Sequence, residues 1–269
     1  MQVSSFVKVD DTSIAFDVSG SGHPVVLLHA GLADRRMWDE QVEAFAERFT
    51  VVRFDARGFG ETRRTAAEFH SWRDAIAVLD HLDFQRAHFV GVSMGAQTAV
   101  DAAVAAPDRV SALVAVAART GVPPSSDLRI GWNAVDELIE AGDIDGANEL
   151  ELRMWIDGPN RSPDAVPVAM RERVREMNGA LLVRDDTEDN EQEPDPPTED
   201  GLTDITCPTL IVWGDQDVPD VQAAGPRLAA TIPGARQAII GNAAHLPNME
   251  RPREFNSVAL DFLGEVSTR

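Results

Sequence analysis

Short unbroken apolar runs recur along the first 120 positions, each followed by a longer stretch of mixed polarity. Positions 24–29 (PVVLLH), 50–55, 87–92 and 110–117 predict strands, because a continuous apolar run fits a strand covered on both faces. Between them, 36–49 and 68–82 repeat their large apolar residues at helical spacing. Met37, Val42, Phe45 and Phe49 share one side of the first, and Trp72, Ile76, Leu79 and Leu82 one side of the second. Residues 94–106 predict a helix that Pro107 ends. Residues 3–8 and 13–18, joined at Asp10 and Asp11, predict an antiparallel strand pair. Buried strands alternating with helices imply a mostly parallel sheet with helices on both faces.

The alternation breaks between about 120 and 201. Residues 126–141, 144–155 and 165–183 carry amphipathic helical patterns with no strong strand between them. A connecting loop follows at 185–200 (DDTEDNEQEPDPPTED), acidic and rich in proline. Strand and helix then resume at 208–213, 219–232, 236–240 and 252–263. The reading is one α/β core domain, 1–120 and 201–269, interrupted by a helical cap or lid at 121–200.

Composition narrows the class. The 269 residues are 43% hydrophobic and 26% charged, ordinary for a globular enzyme. The net charge of −21 argues against nucleic acid and anionic membrane surfaces as partners. No apolar run approaches a membrane span, and the first residues lack a basic, then apolar, export signal. The single cysteine, Cys207, excludes an internal disulfide and fits a reducing cytoplasm. No Cys/His cluster, P-loop or dinucleotide glycine pattern appears, so neither metal nor cofactor is expected. The oligomeric state is left open.

The chemistry-bearing residues fall at the ends of the expected strands, where open parallel sheets bind ligands. Gly91-Val92-Ser93-Met94-Gly95 lies between a strand and a helix, the G-x-S-x-G nucleophile-elbow pattern. Its glycines have a steric task, because neighbouring backbone would clash with side chains in so tight a turn. Trp213-Gly214-Asp215-Gln216-Asp217 follows one late strand and Asn242-Ala243-Ala244-His245 the last. The order Ser93, Asp217, His245 is the Ser…Asp…His order of hydrolases on this type of sheet. His29-Ala30-Gly31-Leu32 follows the strand that should supply a second oxyanion N–H.

With HAGLADRRMW at 29–38, FDARGFG at 54–60, GVSMG at 91–95, WGDQD at 213–217 and AAHLPNME at 243–250, the chain resembles the α/β-hydrolase fold superfamily. It is most similar to esterases and enol-lactonase-like members with a helical lid. The resemblance implies Ser93 as nucleophile, His245 as general base and Asp217 as the acid that orients it, with Asp215 and Asp220 as rival acids. It implies an oxyanion hole from the N–H groups of Met94 and Gly31, Leu32 being the fallback because Ala30 stands where the pattern usually has Gly. Asp55, Arg57 and Gly58 are implied as support beside that loop, with a substrate-carboxylate contact as the other reading of Arg57. The segment Ala117-Ala118-Arg119-Thr120 holds no acid, although some members place theirs there. The activity implied is hydrolysis of a small, partly apolar carboxylic ester or lactone. C–C (diketone) hydrolysis and perhydrolysis use the same residues, and a ligand-sensing signalling partner is the reading from another class.

Overall fold

In the computed structural model, which describes residues 4–184 and 190–267, eight strands form one sheet in the order β1-β2-β4-β3-β5-β6-β7-β8. These are β1 (Ser5–Val9), β2 (Thr12–Gly20), β3 (His23–Leu28), β4 (Phe49–Phe54), β5 (Ala87–Val92), β6 (Val110–Val116), β7 (Thr209–Gly214) and β8 (Arg236–Ile240). β1 pairs antiparallel with β2, and β2 antiparallel with β4; every other pairing is parallel. The four strands with unbroken apolar stretches, β3 to β6, take the middle of the sheet, where both faces are covered. β5 is buried along its whole length, whereas β1 and β8 at the edges alternate or face solvent. The strand expected from position 3 begins at Ser5; Val3 itself lies outside the described residues.

Helices cover both faces: α1 (Asp39–Ala46), α2 (Ser71–His81), α3 (Met94–Ala105), α7 (Pro219–Thr231) and α9 (Pro252–Ser267). Between β6 and β7 lie α4 (Ser126–Glu140), α5 (Ile144–Glu151) and α6 (Val168–Leu182), and the short α8 (Pro247–Glu250) precedes α9. Of the acidic loop expected at 185–200, residues 185–189 lie outside the described residues. The rest returns along the core, where it pairs Glu191 with Phe69. Among the described residues no helix is long and apolar enough to cross a membrane.

Three elements differ from the periodicity, each for a local reason. Residues 36–49 are a 3₁₀ turn, Arg35–Trp38, before α1, because the Asp34 carboxylate caps the chain there by accepting from the Arg36 N–H at 2.9 Å. The helix expected from 68 starts at Ser71. The backbone of Phe69 is committed instead to the returning loop, its N–H to the Asn190 carbonyl and its carbonyl to the Gln192 N–H. The helix expected over 144–155 loosens after Glu151 into a π-helical turn, Leu152–Asp157. There the Trp155 carbonyl accepts the His245 N–H at 3.2 Å.

Candidate active site

Ser93 ends β5 and caps α3 with φ 54° and ψ −113°, a conformation that L residues rarely occupy. Its surroundings over-determine it. The Ser93 N–H donates to the Val116 carbonyl on β6 at 2.8 Å, and its carbonyl accepts the Gln97 N–H at 2.9 Å. A Cβ at Gly91 would run into the Gly95 carbonyl, and one at Gly95 into the Leu28 carbonyl. Both glycines are therefore required by backbone approaching from two sides, and the turn can form only with hydrogen in those places. The side chain of Ser93 is left half-buried at the crest of the sheet. Among the described residues no hydrogen bond holds its Oγ.

His245 and Asp217 come together from the turns after β8 and β7. His245 Nδ1 lies 3.0 and 2.9 Å from the two carboxylate oxygens of Asp217, and Oδ1 also accepts the Val218 N–H at 2.7 Å. Asp217 is 0% and His245 2% exposed, so the pair interacts out of water, where orientation is fixed and attraction is strong. The rival acids are employed elsewhere. Asp215 is exposed and bonded to the Gln216 amide, while Asp220 accepts from the N–H and hydroxyl of Ser125 at 2.7 and 2.9 Å, steadying the start of α4.

The loop after β3 passes beside the elbow. A Cβ at Gly31 would stand at ordinary contact distance from the Met94 side chain. The Ala30 N–H is taken by Met37 Sδ, and the Ala33 N–H by the Ala30 carbonyl. The N–H groups of Gly31, Leu32 and Met94 have no acceptor among the described residues. His29 fixes this loop. Its Nδ1 donates to the Ala30 carbonyl at 2.9 Å and its Nε2 accepts the Ala56 N–H at 3.0 Å. Both ring nitrogens are thus spent on backbone, and burial keeps the ring below its ordinary pKa and neutral. Arg57 is likewise committed, its guanidinium bidentate to buried Asp74 at 2.7 and 2.9 Å.

Two contributors are hard to see in the sequence. The Trp155 ring lies on His245 at 4.4 Å between centroids. Glu250 accepts the Ala244 N–H at 2.9 Å and pairs with Arg161, bracing the loop that carries His245. The glutamate closes the 243–250 segment, whereas the helical spacing around Trp155 reads equally as helix core. Two cavities flank the helical segment. One of about 320 Å³ lies between Arg35, Phe59 and α6, the other of about 500 Å³ between α4, Met154 and Pro219. Neither is lined by Ser93 or His245. Among the described residues no cluster of His, Cys, Asp or Glu could hold a metal ion.

Comparison with known proteins agrees with this architecture. A 2-hydroxy-6-oxononadienedioate/2-hydroxy-6-oxononatrienedioate hydrolase of Cupriavidus pinatubonensis is 29% identical over 97% of this chain and 95% of its own. Carboxylesterase YbfK of Bacillus subtilis is 27% identical over 89% of this chain and 79% of its own. The solved enol-lactonase of Burkholderia xenovorans LB400 superposes with a TM-score of 0.78, covering 97% of this chain and 100% of that one, at 23% identity; it shares the fold. The family model described as alpha/beta hydrolase fold matches residues 23–252. The chain belongs to the α/β-hydrolase family and is an enzyme of that class.

Proposed function

We propose that the chain is a serine hydrolase that cleaves a small carboxylic ester or lactone through an acyl-enzyme on Ser93. The observation that carries this reading is the buried bond between His245 Nδ1 and the Asp217 carboxylate. It leaves Nε2 as the basic nitrogen of the ring. His245 takes the Ser93 proton as Oγ attacks the carbonyl, and Asp217 stabilises the imidazolium that forms. The uncommitted N–H groups of Met94 and Gly31 receive the developing oxyanion, with Leu32 next in line. The alcohol leaves with the proton from His245, and water then releases the acid by the same steps in reverse.

Residues 121–200 act as a lid over this site. The similarity to the Cupriavidus enzyme supports a second reading, cleavage of a C–C bond in a diketone by the same residues. The single cysteine supports a cytoplasmic setting.

A panel of short-chain esters, lactones and vinylogous diketones separates the readings. Turnover of oxygen esters or lactones supports the first, and turnover of diketones alone the second. In either case Ser93→Ala should lose about 10⁴-fold or more in kcat with its circular dichroism unchanged. Asp217→Asn should fall by a comparable factor while Asp215→Asn stays close to the parent. Activity surviving in Ser93→Ala would sink the mechanism, and a larger loss in Asp215→Asn would move the acid.

A further inference from the structure

Arg119 stands just past β6, at the C-terminal edge of the sheet. It lies between the two turns that carry the reacting groups. The Ser93 N–H bonds to the Val116 carbonyl on one side of that strand, and the Ala117 N–H bonds to the Val212 carbonyl of β7 on the other. The guanidinium is half-buried, with its face on the Trp132 ring of α4 at 5.4 Å. Its hydrogen bond is a long one, from Nη1 to the Val122 carbonyl at 3.3 Å. A guanidinium offers five N–H donors, so most of its capacity is unused.

Among the described residues, no carboxylate pairs with Arg119. The acids that act on it through space are Asp220 and Asp217, and both are spoken for. Asp220 holds Ser125, and Asp217 holds His245 and the Val218 N–H. Other arginines removed from water in this chain do have partners: Arg53 pairs with Asp17, Arg57 with Asp74, and Arg171 with Asp157. The chain holds 45 acidic residues to 24 basic ones, so a carboxylate would be easy to supply. A desolvated cation without one is costly, and burial indeed presses the Arg119 guanidinium below its ordinary value.

We infer that Arg119 is a substrate-binding residue that receives a carboxylate carried by the substrate, a few bonds from the scissile carbonyl. Trp132 holds the guanidinium plane so that its free edge donates bidentately to the anion. The inference rests on the hydrolase reading and deepens it: the preferred ester or lactone is an anion. The net charge of −21 sharpens the point, since an anionic substrate needs a local cation to settle in so negative a molecule.

Two measurements test it. The first compares monomethyl adipate with methyl hexanoate, which share the reacting ester and differ in the distal carboxylate. The wild-type enzyme should favour the carboxylated member. Arg119→Gln should lower the ratio of the two kcat/KM values roughly 10- to 100-fold, mainly through KM, with Arg119→Lys in between. An unchanged ratio, or no wild-type preference, overturns the assignment; disturbed lid packing alone lowers both esters together and leaves the ratio where it was. The second is calorimetric titration with adipate, which needs no turnover. Binding that is lost in Arg119→Gln supports the site, and equal binding or none in both proteins overturns it. Cleavage of methyl hexanoate without an Arg119-dependent carboxylate effect would defeat this inference and leave the hydrolase reading standing. Arg119-dependent adipate binding with neither ester cleaved would do the reverse.

Discussion

Ser93 carries a side chain at φ 54°, where the Cβ crowds the backbone, and the cost of such a residue is of order 1–3 kcal/mol. The neighbouring glycines and the bond to Val116 hold it there. Stability and the proposed nucleophilic role therefore oppose each other at one position. Ser93→Gly relieves the strain, at the expense of a more flexible unfolded chain, whereas Ser93→Ala keeps the Cβ and the strain. Ser93→Gly should be about 1 kcal/mol more stable than Ser93→Ala in urea unfolding, with both inactive. Equal midpoints would mean that the turn stores no strain. At this scale the sequence was informative where one residue type alone satisfies a local constraint. The glycines at 91 and 95 are forced by carbonyls, and a spacing of two from the serine displays that. Trp155, Glu250 and Arg119 carried no such mark. Their partners His245, Ala244 and Trp132 sit on other elements, and only the folded chain brings them within reach.

At the scale of elements, α3 does more than follow the elbow. Gln97 accepts from the Thr120 hydroxyl at 2.7 Å and donates to Asp101 at 2.7 Å, and Asp101 accepts from the Thr198 hydroxyl at 2.5 Å. Burial raises the Asp101 carboxyl to about 6, with Glu191 and Glu193 of the returning loop adding to the rise and the Thr198 and Gln97 bonds opposing it. The folded value lies above the unfolded one, so the charged carboxylate weakens the fold above pH 6. That loss fades as pH falls from about 6 to about 4, and below that the carboxyl is neutral in both states. Asp101→Asn keeps an oxygen for both donors and removes the charge. It should be more stable than the parent by about 1–3 kcal/mol at pH 8, with most of the difference gone by about pH 4.5 in denaturant titrations. A difference independent of pH would show that the carboxyl is not the titrating group. Element boundaries were readable where period and burial agreed, as in β3 to β6. They slipped where the backbone is claimed by a distant segment: Phe69 by the returning loop, and Trp155 by His245.

For the whole molecule the dominant fact is charge. Acidic residues outnumber basic ones 45 to 24, and several arginines are drawn into internal pairs such as Arg53 with Asp17 and Arg171 with Asp157. The surplus is spread over the surface and repels itself. The screening length shrinks from about 30 Å at 0.01 M salt to about 8 Å at 0.15 M, while buried pairs are screened far less. Repulsion should therefore be relieved more than attraction is lost, and Tm should rise by about 2–4 °C across that range in scanning calorimetry. A fall in Tm would mean that the surface pairs outweigh the excess charge. The bonds on α3 reach beyond stability to how such a molecule can diversify. Thr120 stands just before the helical segment and Thr198 lies where it rejoins the core, and both are anchored four residues apart on α3, the helix that Ser93 caps. Gln97 and Asp101 thus form a socket with two pins. An insertion of foreign sequence that brought a hydroxyl to each junction could be plugged into it, exchanging the helical segment while leaving α3 and the turn at Ser93 in register.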